Sequence, residues 1–516
     1  MMNGAESLAR TLLAQEVEVC FSNPGTSEMH FVAALDKVDG MRCILGLFEG
    51  VATGAADAYY RMADKPACTL LHLGPGLANG LANLHNAKKA GSGIVNVVGE
   101  HARHHIAHNA PLTSDIRGVA TPMSAWVKTS ESAKTVAHDG ALAVHAARQA
   151  PGQIATLILP ADTAWEEGSG IDTTPYSGQR TAVAGEVIEQ VAQALQRPGK
   201  TALLLGGIGV REPALNWVGK IAARTGCDVL SEYNTPRLQR GAGRVITRRI
   251  PYAVDAAVAM LKDFDQIILV GAKQPVAFFA YPDKPSVLTA AKTQVMALAD
   301  ASQDIVQALS DLSDRLQANA LPAIGVADYQ HTDLPSGALD PVGIGRLLAA
   351  LIPEGAVVVD ESVSTGRGFD LPTTHARPHD WLNVMGGAIG FGMPGAVGAA
   401  VGAPGRPVIL LEGDGSGMYT LQALWTMARE NLNVKVLVFA NRAYQILRGE
   451  LKNVGAGTPG KNATDMLTLD RPNLDWVALA KGHGVPGRQA TDLTSLAQAF
   501  QAALAEEGPF LIEVLM

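Results

Sequence analysis

Cysteine is scarce in this chain, and the four present, Cys20, Cys43, Cys68 and Cys227, are scattered. No CxxC pair occurs, so neither a disulfide framework nor a zinc site of the usual spacing is expected, and the pattern fits a reducing cytoplasm. Charge is sparse too. Charged residues make up 17% of the chain and the net charge is −8, with no basic stripe, which argues against a nucleic-acid binder. The opening MMNGAESLARTLLAQE carries acids within an amphipathic helical pattern and lacks the layout of a secretory signal. One uncharged segment, 386–405, is long enough to cross a membrane. It is mostly glycine and alanine with two prolines, so a closely packed core helix is expected instead.

What is present is a repeated alternation of strand-like and helix-like runs. At 516 residues the length suggests roughly three domains of about 150–200 residues. In the first third, VEVCF, MRCILGLFE, PACTLLHL and GIVNVVGE read as strands separated by helical stretches. This rhythm predicts a parallel sheet covered by helices. Polar, glycine-containing stretches at 166–182 and 319–341 read as linkers. The expected architecture is three doubly wound parallel α/β domains in series, 1–170, 183–320 and 340–516.

The third block carries the most specific chemistry. The run RPVILLEG reads as a buried strand that leads straight into Asp414, held between two glycines in LEGDGSGMY. A helix is expected over 418–430, and the strand VKVLVFAN then ends at Asn441. This βαβ unit would place Asp414 and Asn441 at the carboxyl ends of neighbouring strands, about 4.8 Å apart. Two oxygen donors there can share a small hard cation, and Mg²⁺ takes few protein ligands, leaving room for phosphate and water. Backbone N–H groups of the glycine turn, Gly415 among them, would meet phosphate oxygens. A helix cap and a strand-terminating asparagine would give the same pattern from GDG alone.

The flanks decide further. GDGSGMYTLQALWTMARENLNVKVLVFANRAY closely resembles the binding motif of the thiamine-diphosphate-dependent enzymes. The resemblance implies thiamine diphosphate and Mg²⁺, with Asp414, Asn441 and the carbonyl of Ala443 as metal ligands and Tyr444 beside them. The first asparagine of the usual pair is Ala440 here. MGGAIGFGMPGAVGAA resembles the segment that bends this cofactor, which puts Ile389 between its rings and the Gly387 carbonyl on its aminopyrimidine amine. VVVDESVSTGRG resembles the region where hydroxyls reach the diphosphate, so Ser364 and Ser416 are candidates. GLFEGVATGAADAYYRM resembles the signature around the glutamate that activates the cofactor. That role falls on Glu49, whose carboxyl would face a cofactor held by another subunit, so a homodimer or homotetramer with interfacial active sites is implied. The three domains become pyrimidine-binding, central and diphosphate-binding.

FSNPGTSE and TLLHLGPGLAN resemble benzoylformate decarboxylase in layout, placing Thr26 and His72 in catalytic positions. A second histidine of that enzyme has no counterpart, because AKQPVAFFAYPDKP offers Phe278, Phe279 and Tyr281 instead. The implied activity is non-oxidative decarboxylation of a 2-oxo acid, with carboligation as a companion activity. An acetolactate-synthase-type carboligase and a non-catalytic paralogue are the alternatives. FAD, which such carboligases often bind, has weak support, since LLLGGIGVRE lacks GxGxxG. His101, His104, His105 and His108 have helical spacing but no acid or cysteine partner at metal-site spacing. A cytoplasmic enzyme without membrane association is expected.

Overall fold

Runs such as VVVDE, VILLEG and VKVLVFA are apolar without alternation, the pattern of strands buried on both faces. The computed structural model, which describes residues 2–516, arranges such strands in three sheets. The first contains β1 (Val19–Asn23), β2 (Arg42–Leu45), β3 (Ala67–Leu71), β4 (Ile94–Glu100), β5 (Trp126–Thr129) and β6 (Ile154–Pro160), in the order 2-1-3-4-6-5. The second contains β7 (Thr201–Leu205), β8 (Asp228–Ser231), β10 (Arg248–Arg249), β11 (Gln266–Val270) and β12 (Gln294–Ala299), in the order 10-8-7-11-12. The third is built from β13 (Val357–Glu361), β14 (His379–Asn383), β15 (Val408–Gly413), β16 (Val434–Ala440), β17 (Gly487–Ala490) and β18 (Phe510–Leu515). Its order is 17-18-16-15-13-14-9.

The last strand, β9 (Leu238–Arg240), comes from the middle of the chain and pairs antiparallel with β14. Among the described residues it is the one strand paired antiparallel within these sheets, and it ties the central segment to the third sheet. Each sheet has a central point where the strand order reverses: between β1 and β3, between β7 and β11, and between β13 and β15. At such reversals the loops leave in opposite directions and open a crevice at the carboxyl ends.

The uncharged segment forms the helix Gly392–Gly402, packed in the core as expected. Among the described residues, no helix is long and apolar enough to cross a membrane. That helix lies against the helix Glu49–Ala63 at backbone contact. A Cβ on Gly398 would sit 1.9 Å from the Ala55 carbonyl oxygen, and one on Gly54 would sit 2.7 Å from Pro394. The same helix carries the buried pair Arg61–Asp57 (2.5 Å), and Arg61 donates to the Asn383 carbonyl of the third sheet at 2.7 Å. The first and third domains therefore share one core.

The helix expected over 418–430 is shorter than anticipated. A single turn at Asp414–Gly417 is followed by a bend and then Ala423–Arg429. At the bend Thr420 Oγ1 donates to the Gly390 carbonyl (3.1 Å), a tertiary bond that outweighs local periodicity. Replacing Gly398 by alanine should lower the thermal midpoint, because the added methyl has only backbone to displace. A destabilisation of about 1–3 kcal/mol is expected, read by calorimetric unfolding.

Candidate active site

The reversal between β1 and β3 brings two loops together. β1 runs into Pro24-Gly25 and a short turn over Thr26–Glu28, while β3 ends just before His72. The His72 ring lies so close that a Cβ on Gly25 would be 2.1 Å from its Cγ. His72 Nδ1 is 2.9 Å from the buried Glu28 carboxylate, which also accepts the Gly25 N–H at 2.9 Å. Ser27 Oγ stands 3.3 Å from the same ring nitrogen and donates to Glu28. Thr26 is exposed at the start of this turn. Thr26, expected from the sequence, shares this turn with Glu28 and Ser27, which were not expected and make the contacts to His72. The signal for Glu28 was its place three residues after a glycine that caps a turn. Leu73 follows in the left-handed region (φ +48°) although buried, a strained conformation for a γ-branched residue.

Glu49 opens its helix and is buried, with Oε2 accepting from Asn79 Nδ2 at 3.0 Å. Gly76 separates it from His72. A Cβ there would be 3.1 Å from Glu49 Oε1 and 3.3 Å from His72 Cβ. The structure thus brings Glu49 and His72 to the two sides of one glycine, in the first turn of the helix Leu73–Ala90.

The reversal between β13 and β15 organises the second cluster. β15 and β16 are parallel neighbours, with Gly413 opposite Phe439, so Asp414 and Asn441 follow adjacent strand ends. Asp414 is buried and accepts the Gly415 N–H (2.9 Å) and, across the gap, the Arg442 N–H (2.6 Å). Burial pushes its carboxyl up to about 6, against the pull of those N–H groups. Asn441 Oδ1 accepts the Ala443 N–H (3.0 Å), and Arg442 is left-handed (φ +56°). Tyr444 packs on the turn, its ring 2.5 Å from where a Cβ on Gly415 would stand. The Ser416 hydroxyl donates to Glu412 Oε1 at 2.5 Å. Ser364 is half-buried at the tip of β13, next to Val363, another left-handed residue (φ +50°).

Between these clusters runs the loop 386–392. Gly387 is left-handed (φ +72°), and a Cβ there would meet Phe278 at 2.8 Å. Asn86 donates to the Ala388 carbonyl (2.8 Å) and accepts its N–H (3.1 Å). Asn83 Nδ2 bridges the Gly50 carbonyl (2.8 Å) and the Gly390 carbonyl (3.0 Å). The buried Glu361 accepts the N–H groups of Gly390 (2.9 Å), Phe391 (3.3 Å) and Gly392 (2.7 Å). Burial raises the Glu361 carboxyl to about 7 and holds its neighbour Glu412 well above the usual range. Neither acid was singled out from sequence.

Gly387, Ile389 and Glu361 line a cavity of about 260 Å³ with the aromatic rings of Tyr233, Tyr252, Phe278 and Phe279. All of its lining residues lie between Tyr233 and Glu450, so the first domain of the same chain contributes none. The donor set at Asp414, Asn441 and Ala443 is all oxygen or backbone, which fits a hard cation. His101, His105 and His108 stack at 5.5 and 5.6 Å on an exposed turn. Among the described residues, no three His, Cys, Asp or Glu are grouped to hold a metal.

The third reversal, between β7 and β11, is closed. A Cβ on Gly206 would lie 2.4 Å from Glu232 Oε2 and 2.8 Å from the Gly271 carbonyl oxygen. Glu232 accepts the Lys273 N–H (3.0 Å), and burial raises its carboxyl to about 7.

The chain is similar to known proteins over its whole length. Residues 2–118 match the family described as "Thiamine pyrophosphate enzyme, N-terminal TPP binding domain" and residues 370–514 its "C-terminal TPP binding domain". The chain is 47% identical over its whole length, and over 99% of the relative, to "Putative acetolactate synthase large subunit IlvX" of Mycobacterium tuberculosis. It is 28% identical, over 96% of itself and 95% of the relative, to "Benzoylformate decarboxylase" of Pseudomonas aeruginosa. Among solved structures, a thiamine diphosphate-dependent 4-hydroxybenzoylformate decarboxylase of Rhodococcus jostii RHA1 superimposes with a TM-score of 0.88 at 25% identity, covering 100% of this chain and 99% of that one.

Glu232 supplies a pH test of the closed reversal. Its folded value, about 7, stands above the 4.5 of an unperturbed glutamate. The folded state therefore binds more protons than the unfolded state between those values, and stability falls as pH rises through that window. Glu232→Gln removes this loss. Its thermal midpoint should match wild type near pH 5 and exceed it by about 2 °C or more above pH 7, read by differential scanning calorimetry across pH.

Proposed function

The chain belongs to the thiamine pyrophosphate enzymes, and on that premise we propose that it is a Mg²⁺-dependent, non-oxidative decarboxylase of 2-oxo acids. Asp414, Asn441 and the Ala443 carbonyl would hold the cation. Backbone N–H groups at Gly415 and the Ser364 hydroxyl would meet the diphosphate. The Gly387 carbonyl and the Ile389 side chain would hold the two rings in their bent arrangement. When bound, thiamine diphosphate supplies a carbon nucleophile for the keto group and an electron sink for the bond to carbon dioxide.

The observation that carries the reading is the His72–Glu28 pair (2.9 Å) beside Glu49, at a strand-order reversal. The Glu28 carboxylate occupies Nδ1 of His72, so Nε2 is the atom left to move a proton. In the net reaction the bond between the carboxylate and the keto carbon breaks and a proton takes its place. His72 would supply that proton and Thr26 would line its approach. Glu49 would hold its carboxyl against the aminopyrimidine. The cavity with Gly387 and Ile389 contains no residue of the same chain's first domain. This supports a homo-oligomer, dimer or tetramer, in which Glu49 reaches the partner's cavity.

The second reading is an acetolactate-synthase-type carboligase, favoured by the 47% relative of that name. The closed β7–β11 reversal weighs against a flavin in the central domain, since the Glu232 carboxylate stands where dinucleotide phosphates would approach. The deciding experiment incubates the purified protein, with thiamine diphosphate and Mg²⁺, with aliphatic and aromatic 2-oxo acids, pyruvate included. The proposal expects carbon dioxide and the matching aldehyde. Acetolactate as the main product from pyruvate would establish the second reading instead, and absence of cofactor binding by calorimetry would establish a non-catalytic paralogue.

The shared site has its own test. Glu49→Gln should lower kcat by about 10²–10⁴-fold with cofactor binding retained, and Asp414→Ala should abolish cofactor binding. Unfolding and refolding the two inactive variants together would create mixed dimers with one intact site each. Activity should return to about a quarter of wild type. No recovery on mixing would place Glu49 and Asp414 in the same chain's site.

A further inference from the structure

A second cavity, of about 570 Å³, lies between the edge of the central sheet and the third domain. Its wall comes from RLQRGAGRVITRRIPY (237–252), where five arginines fall within thirteen residues. Arg240, Arg244, Arg248 and Arg249 face it. β9 and β10 hold two of these in place. Arg240 lies over the Trp381 ring at 5.2 Å and donates to the Asp370 backbone carbonyl and to Thr374 Oγ1 (3.3 Å). Arg249 lies over the Tyr233 ring at 4.1 Å and donates to the Tyr233 carbonyl and to Asn234 Oδ1 (3.4 Å).

Every one of those acceptors is neutral. Among the described residues, neither guanidinium has a carboxylate within ion-pair distance, although Asp370 and Asp360 attract Arg240 from farther off. Burial pulls Arg240 down to about 10, with Asp370 and Asp360 opposing the shift and Arg249 adding to it. Arg244 and Arg248 stand at the rim in partly exposed pairs with Glu212 (2.9 Å) and Asp228 (3.6 Å), which solvent screens. The acids on the wall are Glu232 and Asp370. Glu232 is pushed up by burial and is a weak counter-charge near neutral pH.

Four guanidinium groups around one cavity outnumber its two acids, an imbalance that a bound anion would offset. Guanidinium forks match carboxylate and phosphate oxygens, and Leu238, Val245 and Ile246 give the cavity an apolar side for an organic body. We propose that this cavity binds a small organic oxyanion bearing a phosphate or carboxylate group, gripped by Arg240 and Arg249 and closed in by Arg244 and Arg248. Tyr233, Arg249 and Asn383 line both this cavity and the one beside Gly387, so the bound anion touches a wall of the cofactor cavity.

The test uses protein saturated with thiamine diphosphate and Mg²⁺, so that the diphosphate position is filled. Inorganic phosphate and, separately, succinate are titrated by calorimetry. At least one probe should bind saturably, one per chain, and which one binds tells phosphate from carboxylate chemistry. The rim variant Arg244→Ala/Arg248→Ala should fold and bind that probe at least tenfold more weakly. Arg249→Lys, which keeps the charge but not the fork, should also weaken binding. Absence of saturable binding by both probes would overturn the proposal. So would equal affinity in wild type and both variants, or displacement of thiamine diphosphate by the probe.

Discussion

The contact on which the rest depends is between two helix backbones. Gly398 and Ala55 approach so closely that no side chain fits between them, and Gly54 and Pro394 repeat the arrangement one turn away. Close helix approach of this kind requires small residues on both sides, which explains why GVATGAADA and PGAVGAAVG look uninformative as hydrophobic patterns. The consequence is positional. The helix from Glu49 begins beside the loop 386–392, and Asn83 joins the Gly50 and Gly390 carbonyls across the junction. The carboxyl at one helix start and the loop before the other are thus set relative to each other by a single rigid contact.

Strain is concentrated where strands end. Leu73 after β3, Val363 after β13 and Arg442 after β16 all occupy the left-handed region that favours glycine. Such residues cost on the order of 1–3 kcal/mol each and persist only where the surroundings impose them. Each of the three lies beside a residue proposed for the site: His72, Ser364 and Asn441. The turn at Arg442 shows the cause most directly. Its N–H reaches Asp414 at 2.6 Å, which fixes the tips of β15 and β16 together without any cation. The strained turns therefore orient polar groups toward the crevices that the sheet order opens.

The strands legible in the sequence were those whose apolar runs stand alone, such as β3, β4, β15 and β16. β9 was not legible. Three residues, Leu238–Arg240, carry no strand pattern, and their pairing with β14 depends on a partner more than a hundred residues away. The site divides the same way. Asp414, Asn441 and Glu49 stand out in the sequence because local motifs surround them. Glu28 could have been found, since it closes the turn that Gly25 opens, but its contact with His72 crosses between two strands. Glu361 and Glu412 gave no local signal. Each looks like the last residue of a strand, and only the fold shows them facing one another around Gly392.

That pair bears on how an anion site can rest on buried acids. A Cβ on Gly392 would lie 2.3 Å from Glu412 Oε2 and 3.1 Å from Glu361 Oε2, so only glycine lets both carboxyls crowd this point. Glu361 is spent on three backbone N–H groups, whereas Glu412 Oε2 is buried without a partner. Two carboxylates this close and this buried cannot both stay ionised. The arrangement that satisfies the geometry leaves the negative charge on Glu361, where the N–H groups stabilise it, and a proton on Glu412, which takes the Ser416 hydroxyl on its other oxygen. Two acids then add at most one negative charge beneath the turn. That charge is neutralised by the amide dipoles of the 390–392 loop and not projected toward the crevice. The loop carrying Gly387 and Ile389 is held by a carboxylate whose charge its own N–H groups absorb.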